Sequence, residues 1–335
     1  MPMARVWTHA AFEPEVLAVF DNLATVGATP PTEREEWYAE AATCAGLIVS
    51  GNHYITGDVM DRVGARLRVV GRPGIGVDRI DLAAATERGI LVVNTPDGPT
   101  ESTAEHAIAL LLSLTKRVTL GDRDLRKGQG WTNYGVIPIG QEAHSTTLGL
   151  VGLGRIGGRV AEIARVLGMR VLAFDPYAAP ARAEALGVTL VGTLEELLAS
   201  AAIVSLHCPA IPATYQLINA RTLALMRRGS YLINVSRGTV IDETALVDAL
   251  RSGQLAGAGL DVFDPEPAAA DNPLFSLPNT ICTPHIASYT DASVLRMRMM
   301  VCAQVAAALR GERPTELVNP EVWERRRESG ALRAN

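Results

Sequence analysis

The stretch Val151-Gly152-Leu153-Gly154-Arg155-Ile156-Gly157 stands directly after an apolar run, Thr147–Val151, and directly before a helical pattern over 156–167. Glycines at that spacing, between a β-type run and a helix, demand a strand, a tight turn and a closely packed helix. The first glycine suits the turn, the second lets another group approach the backbone, and the third lets the helix lie against the strand. The rest of the chain repeats the same alternation. β-type runs fall at 5–8, 47–50, 68–71, 91–94, 147–152, 170–175, 202–206, 231–235 and 257–262, with helical patterns at 103–116, 156–167, 194–199 and 242–252. This predicts an α/β protein with doubly wound parallel sheets covered by helices on both faces. A length of 335 residues suits about two such domains.

No Gly/Ser linker or internal repeat marks the boundary, so topology must supply it. A first β/α set ends near Asn94-Thr95-Pro96, and a second runs from the helix after Thr100 to about Pro284. The pattern over 291–309 is one more helix with no following strand to serve. It is expected to cross back onto the first domain, which makes that domain discontinuous: 1–98 plus 290–335, with 99–289 as the second. The tail from Pro320 reads as a solvated, frayed end.

Composition removes several function classes. The net charge is −5 and no block of basic residues could track a phosphate backbone, which excludes nucleic acid as a main partner. Cys44, Cys208, Cys282 and Cys302 lie far apart without a C-x-x-C pair, so neither a zinc site nor a disulfide scaffold is expected, and no metal. The segment 1–8 lacks the basic end and apolar core of a signal peptide, and the longest nearly apolar stretch, 107–114, is too short for a bilayer. The expectation is a cytoplasmic protein without a membrane partner.

In its strand-turn-helix context the glycine turn reads as a dinucleotide site, with the pyrophosphate at the helix N-terminus, where free N–H groups and the helix dipole favour an anion. A second β-type run ends at Asp175, 18 residues past Gly157. A carboxylate there accepts both ribose hydroxyls and repels a 2′-phosphate, which favours NAD over NADP.

Downstream stand Leu206-His207-Cys208-Pro209, Asn234-Val235-Ser236-Arg237-Gly238, Leu260-Asp261-Val262-Phe263-Asp264-Pro265-Glu266-Pro267 and Thr283-Pro284-His285-Ile286-Ala287-Ser288. Chemically, Arg237 is always charged and can hold a 2-oxo acid bidentately while polarising its carbonyl. His285 is suited to exchange a proton near neutral pH, and Glu266 could stabilise the protonated imidazole. Taken singly, each has another reading: a surface charge, a structural histidine, a turn cap. Over about 45–310 and in the same order, these motifs resemble the D-isomer-specific 2-hydroxyacid dehydrogenases, the family of D-3-phosphoglycerate dehydrogenase and glyoxylate/hydroxypyruvate reductase.

The resemblance implies a flavodoxin-like substrate-binding domain and a Rossmann NAD-binding domain. It implies reversible hydride transfer between NAD(H) and a small 2-hydroxy or 2-oxo acid, with Arg237, Glu266 and His285 catalytic. Gly152, Gly154, Arg155, Ile156, Gly157 and Asp175 then hold the cofactor's phosphates and ribose, and His207, Cys208, Pro209 and Thr214 flank its adenosine half. Val235, Ser236, Arg237, Asp261, His285 and Ser288 line the nicotinamide side. Asp261 would fix the carboxamide, with a strand-end cap as its other reading. Formate dehydrogenases resemble the fold but carry glutamine where Glu266 stands, so the glutamate argues for a hydroxy acid. His106 is assigned to helix packing.

For the substrate, Val70-Gly71-Arg72-Pro73-Gly74-Ile75-Gly76-Val77-Asp78 follows a β-type run, and its glycines permit a turn whose N–H groups can hold a carboxylate. By resemblance Asn52, Arg72, Gly74, Ile75 and Gly76 bind substrate together with Arg237 and His285, with His53 nearby. Arg72 resembles the phosphate-binding arginine of the phosphoglycerate branch. Thr132-Asn133-Tyr134 lacks the basic residues that branch carries there, so 3-phosphoglycerate and glyoxylate or hydroxypyruvate both stay open. The family also contains an NADH-binding corepressor, which makes a regulatory protein without turnover the alternative. The resemblance further implies a homodimer formed through the helix from Thr103 and the segment 120–134.

Overall fold

The computed structural model describes residues 3–28, 41–51, 53–129 and 139–327. It divides into two units, Met1–Pro99 with Thr290–Asn335, and Thr100–Tyr289.

In the first unit β1 (Ala4–Thr8), β2 (Ala24–Ala28), β3 (Gly46–Ile48), β4 (Val69–Arg72) and β5 (Leu91–Asn94) form a parallel sheet in the order β2-β1-β3-β4-β5. One face is covered by helices Gly57–Val63 and Leu82–Glu87, which bury Val59, Met60, Val63, Ala84 and Ala85 against Leu47, Val70 and Val92. The other face takes the helix Asp291–Arg310, whose Val301, Cys302, Val305 and Ala306 pack on Val6, Ile48, Val69, Leu91 and Val93. Gly71 makes this approach possible, since a Cβ there would lie 2.7 Å from Val301 Cγ2 and 2.8 Å from Val305 Cγ2.

Two expectations change here. The stretch 107–114 is too short for a bilayer, but by length and composition the helix Asp291–Arg310 is long and apolar enough to cross one; in the fold its apolar stripe is sheet-facing core. The end from Pro320 is docked through residue 327 instead of frayed. Val322 is fully buried, and the Arg327 guanidinium donates to the carbonyls of Arg88, Gly64 and Leu67.

In the second unit β6 (Thr147–Val151), β7 (Arg170–Phe174), β8 (Thr189–Leu190), β9 (Ile203–Leu206), β10 (Ser230–Asn234), β11 (Leu255–Leu260) and β12 (Thr280–Cys282) form a parallel sheet in the order β12-β11-β10-β9-β6-β7-β8. Every residue of β6, β9 and β10 is buried, as expected of strands covered on both faces. Helix Arg155–Val166 buries Gly157, Val160, Ala161 and Ala164, the i, i+3, i+4, i+7 stripe of an amphipathic helix, beside the long helix Thr100–Thr115. Helices Leu194–Ser200, Ala220–Leu225 and Glu243–Arg251 close the other face. The strand order reverses between β6 and β9, and in open α/β sheets the crevice beyond the carboxyl ends at such a reversal is where ligands bind.

Candidate active site

Both loops at this reversal carry sequence-marked residues. After β6, Gly152 has φ +99°, which favours glycine, and a Cβ there would also lie 2.9 Å from the His207 carbonyl after β9. At Gly157 an added Cβ would fall 2.2 Å from Gly152 O, so the helix can seat on the turn only without a side chain. Gly154 differs: its φ is −71° and nothing lies within 4 Å of where its Cβ would be. Among the described residues no group lies within 4 Å of that position, which leaves the Gly154 backbone open to an incoming pyrophosphate. Gly154 is also the N-cap of helix Arg155–Val166 and supplies no side-chain cap, so the positive end of the helix dipole faces the turn, where an anion is favoured. Arg155 is exposed beside them and Ile156 is half-buried.

The turn is gripped from two sides. Asp175 Oδ2 accepts the Leu153 N–H at 2.8 Å, while Arg182 donates from Nε to Leu153 O at 2.8 Å and from Nη2 to Gly154 O at 2.9 Å. Across the reversal, the His207 N–H donates to Val151 O and its Nε2 meets Ser205 Oγ at 2.9 Å. His207 Nδ1 is buried without a hydrogen-bond partner among the described residues. Burial lowers the His207 pKa to about 4 and raises the Cys208 thiol to about 11, so both are neutral at pH 7. Thr214 Oγ1 closes the next turn by donating to Pro209 O. An open cradle, a helix N-terminus without a side-chain cap, an orphaned ring nitrogen and a ribose-type carboxylate together fit a dinucleotide.

At the far side of the same sheet the loops after β10, β11 and β12 bring three more residues together. Asn234, fully buried at the end of β10, shapes the first: its Oδ1 accepts the Ser236 N–H and Oγ–H, and its Nδ2 donates to Arg237 O at 2.9 Å. Val235 is buried behind this turn. Gly238 then lies so close to the next loop that a Cβ would fall 2.0 Å from both C and O of Phe263. That loop carries Glu266, whose Oε1 accepts the Phe263 N–H at 3.1 Å and whose Oε2 meets His285 Nδ1 at 2.9 Å. Burial pushes the Glu266 carboxyl up, but the His285 hydrogen bond and charge, the Phe263 N–H and the Arg237 charge outweigh it and hold the carboxyl below its ordinary value. The His285 side chain is 45% exposed, and with Nδ1 committed to Glu266, Nε2 is the nitrogen left to exchange a proton.

His285 sits in the left-handed region at φ +54°, a conformation that costs a non-glycine residue about 1–2 kcal/mol. Asp261, fully buried, holds it. Its backbone oxygen accepts the His285 N–H at 2.8 Å, its Oδ1 accepts Thr283 Oγ1 at 2.6 Å and the Ile286 N–H at 2.9 Å, and its Oδ2 accepts the Ala287 N–H at 2.9 Å. The carboxylate expected to fix a carboxamide is therefore first of all the anchor of the 283–287 turn. His106, assigned to packing, instead reaches Thr283 Oγ1 at 3.0 Å. Ser288 is half-buried just beyond the turn.

In the first unit the loop after β4 is pinned by the side chains of Thr95 and Asn94 bonding to its backbone. Gly74, at φ +125°, donates its N–H to Thr95 Oγ1 at 2.7 Å, and Asn94 Nδ2 donates to Ile75 O at 2.8 Å. Arg72 Nη1 donates to Pro73 O, and its guanidinium packs against Gly51. Gly76 continues this loop, with Ile75 partly exposed. His53 is buried edge-on to Trp7 and hydrogen-bonded to Ser50, and burial lowers its pKa. Asn52 lies outside the described residues.

Residues 108–287 match the model of the D-isomer specific 2-hydroxyacid dehydrogenase NAD binding domain, more than half of the chain. The chain belongs to this family. It is 44% identical to a glyoxylate reductase of Korarchaeum cryptofilum over 260 residues, 77% of each chain. It is 39% identical to a D-3-phosphoglycerate dehydrogenase of Archaeoglobus fulgidus over 278 residues, 83% of this chain but 52% of that protein, so it spans about half the length of that relative. A crystal structure of a Thermus thermophilus protein superposes with a TM-score of 0.85 at 38% identity, covering 94% of this chain and 99% of that one. In this 2-hydroxyacid dehydrogenase frame, Asn234, Gly238, Arg182, Ser102 and His106 act on the site without having been singled out for it. Asn234 and Gly238 lie inside a quoted motif and could have been found by asking what shapes an arginine-bearing turn. Arg182, Ser102 and His106 come from other helices and carry no local signal.

Proposed function

We propose that this protein is an NAD-dependent D-2-hydroxyacid dehydrogenase in which His285 is the acid/base, Glu266 its partner and Arg237 the substrate anchor. The observation that carries the reading is the 2.9 Å contact of His285 Nδ1 with Glu266 Oε2, in the unit that also carries the glycine turn and Asp175. The cofactor, when bound, supplies or accepts the hydride. Arg237 pairs with the acid's carboxylate and draws charge from its 2-oxo group. In reduction His285 Nε2 delivers a proton to the oxygen that becomes a hydroxyl, and in oxidation it takes that proton back. Glu266 stays ionised through the neutral range and favours the imidazolium between the two steps.

The substrate class we propose is a small 2-oxo or 2-hydroxy acid, with Arg72, Gly74, Ile75, Gly76 and Asn52 contributing to its recognition. Phosphohydroxypyruvate/3-phosphoglycerate and glyoxylate/hydroxypyruvate are the two candidates, supported by the names of the relatives. The test is NADH oxidation at 340 nm with glyoxylate, hydroxypyruvate, phosphohydroxypyruvate, pyruvate and 2-oxoglutarate. Preference for phosphohydroxypyruvate gives Arg72 a phosphate role, and preference for the small acids removes it. No turnover with any of them overturns the enzymatic reading in favour of an NADH-binding regulator. We also propose a homodimer, because helix Val118–Arg126 buries none of its residues while exposing Val118 and Leu125. A one-chain mass by light scattering would refute it.

A further inference from the structure

Ser102 and His106 lie four residues apart on helix Thr100–Thr115, so their side chains share one face. Ser102 Oγ donates to Ala287 O at 2.8 Å, and His106 Nε2 lies 3.0 Å from Thr283 Oγ1. Thr283 has one hydroxyl proton, and at 2.6 Å it goes to Asp261 Oδ1. The hydroxyl must therefore accept from His106, which requires the Nε2–H tautomer. The two contacts fall two residues before and two residues after His285. Between them, both oxygens of a fully buried Asp261 take the Ile286 and Ala287 N–H groups.

A left-handed histidine persists only where its surroundings over-determine it. We infer that the Ser102–His106 face of this helix is a positioning device for His285: it clamps both ends of the 283–287 turn and, through Thr283 and the 3.5 Å approach of His106 Nε2 to Asp261 Oδ1, orients the Asp261 carboxylate that holds the middle. His106 and Ser102 touch no reacting atom. They act by keeping the imidazole where Glu266 and a substrate oxygen can both be reached. This rests on the reading of His285 as acid/base.

The test compares His106→Leu, which fills the space without a donor, with His106→Gln, whose amide Nε can replace the ring N–H, and with Ser102→Ala. Loss of orientation lowers kcat by about tenfold or more for His106→Leu and Ser102→Ala, with KM and NADH affinity within about twofold, and His106→Gln recovers most of the loss. Amide exchange at Ile286 and Ala287 should accelerate by about tenfold in His106→Leu, with other buried amides unchanged. A His106→Leu variant with wild-type kcat and wild-type exchange at 286–287 overturns the proposal. Equal losses in the Leu and Gln variants, accompanied by a lowered Tm, reduce His106 to packing and overturn it too. His285→Ala is measured alongside. If that variant turns over normally the acid/base reading fails, while exchange at 286–287 still decides whether the clamp exists.

Discussion

Gly238→Ala is the substitution for which the structure makes the most demanding prediction. The glycine follows Arg237 directly, and a Cβ would sit 2.0 Å from C and O of Phe263, against about 3.4 Å for ordinary contact. The neighbouring atoms are backbone, so no side chain can swing away, and the two loops must part by about 1.4 Å. One loop carries Arg237 and the other carries Glu266 with its hold on His285. A displacement of about 1 Å in such a constellation costs on the order of 10²-fold in rate. The forced repacking itself costs about 1–3 kcal/mol, or a fall of a few degrees in Tm. The expected outcome is kcat/KM down by about 10²-fold on the preferred 2-oxo acid, with NADH binding by fluorescence titration changed little because the glycine turn at β6 is untouched. A variant with wild-type kcat/KM and wild-type Tm would show that the loops part without moving Arg237 relative to Glu266, and the argument would fail.

His285→Ala should lower kcat by about 10²-fold or more while leaving NADH affinity near wild type, checked by the same two assays. Asp175→Ala should weaken NADH and narrow the preference over NADPH, since it removes the ribose acceptor; an unchanged NADH/NADPH ratio of kcat/KM would refute this. Arg182→Ala should raise the NADH Kd by several-fold with kcat nearly kept, because Leu153 O and Gly154 O lose their guanidinium partner. Burial depresses His9 in the first unit and His207 in the second from 6.5 to about 4, so both are neutral in the fold and protonate first in the unfolded chain. Stability is therefore fully present above about pH 6.5 and falls as pH drops toward 4, by up to about 1.4 kcal/mol per pH unit per histidine. A Tm that is flat between pH 7 and 5 would count against this.

The strands without a clear sequence signal all lie at sheet edges, whereas of the pattern-based strands only β5 ends a sheet. Nine strands were readable from apolar runs; β2, β8 and β12 were not, and each ends a sheet. An edge strand pairs on one side only, so it can be short and mixed in polarity: β8 has two residues and β12 has three, none of them buried. The same logic holds at the site. Gly152, Gly154 and Gly157 were legible because one βαβ unit contains all their constraints. Glu266 and His285 were legible as candidates by motif, but their contact at 2.9 Å belongs to two loops separated by β12.

What the sequence by itself determined is what depends on nearest neighbours along the chain: the alternation that makes parallel α/β sheets, the strand-turn-helix that receives a phosphate, and the acid at the end of β7. Only the tertiary structure decided which distant groups complete the site. Arg182 grips the glycine turn from a following helix, Gly238 lets two backbones touch, and Ser102 and His106 reach their partners in the His285 turn across 185 and 177 residues of chain. Such pairings leave no periodicity to read, because they arise where a parallel sheet gathers the ends of strands that the chain itself keeps far apart.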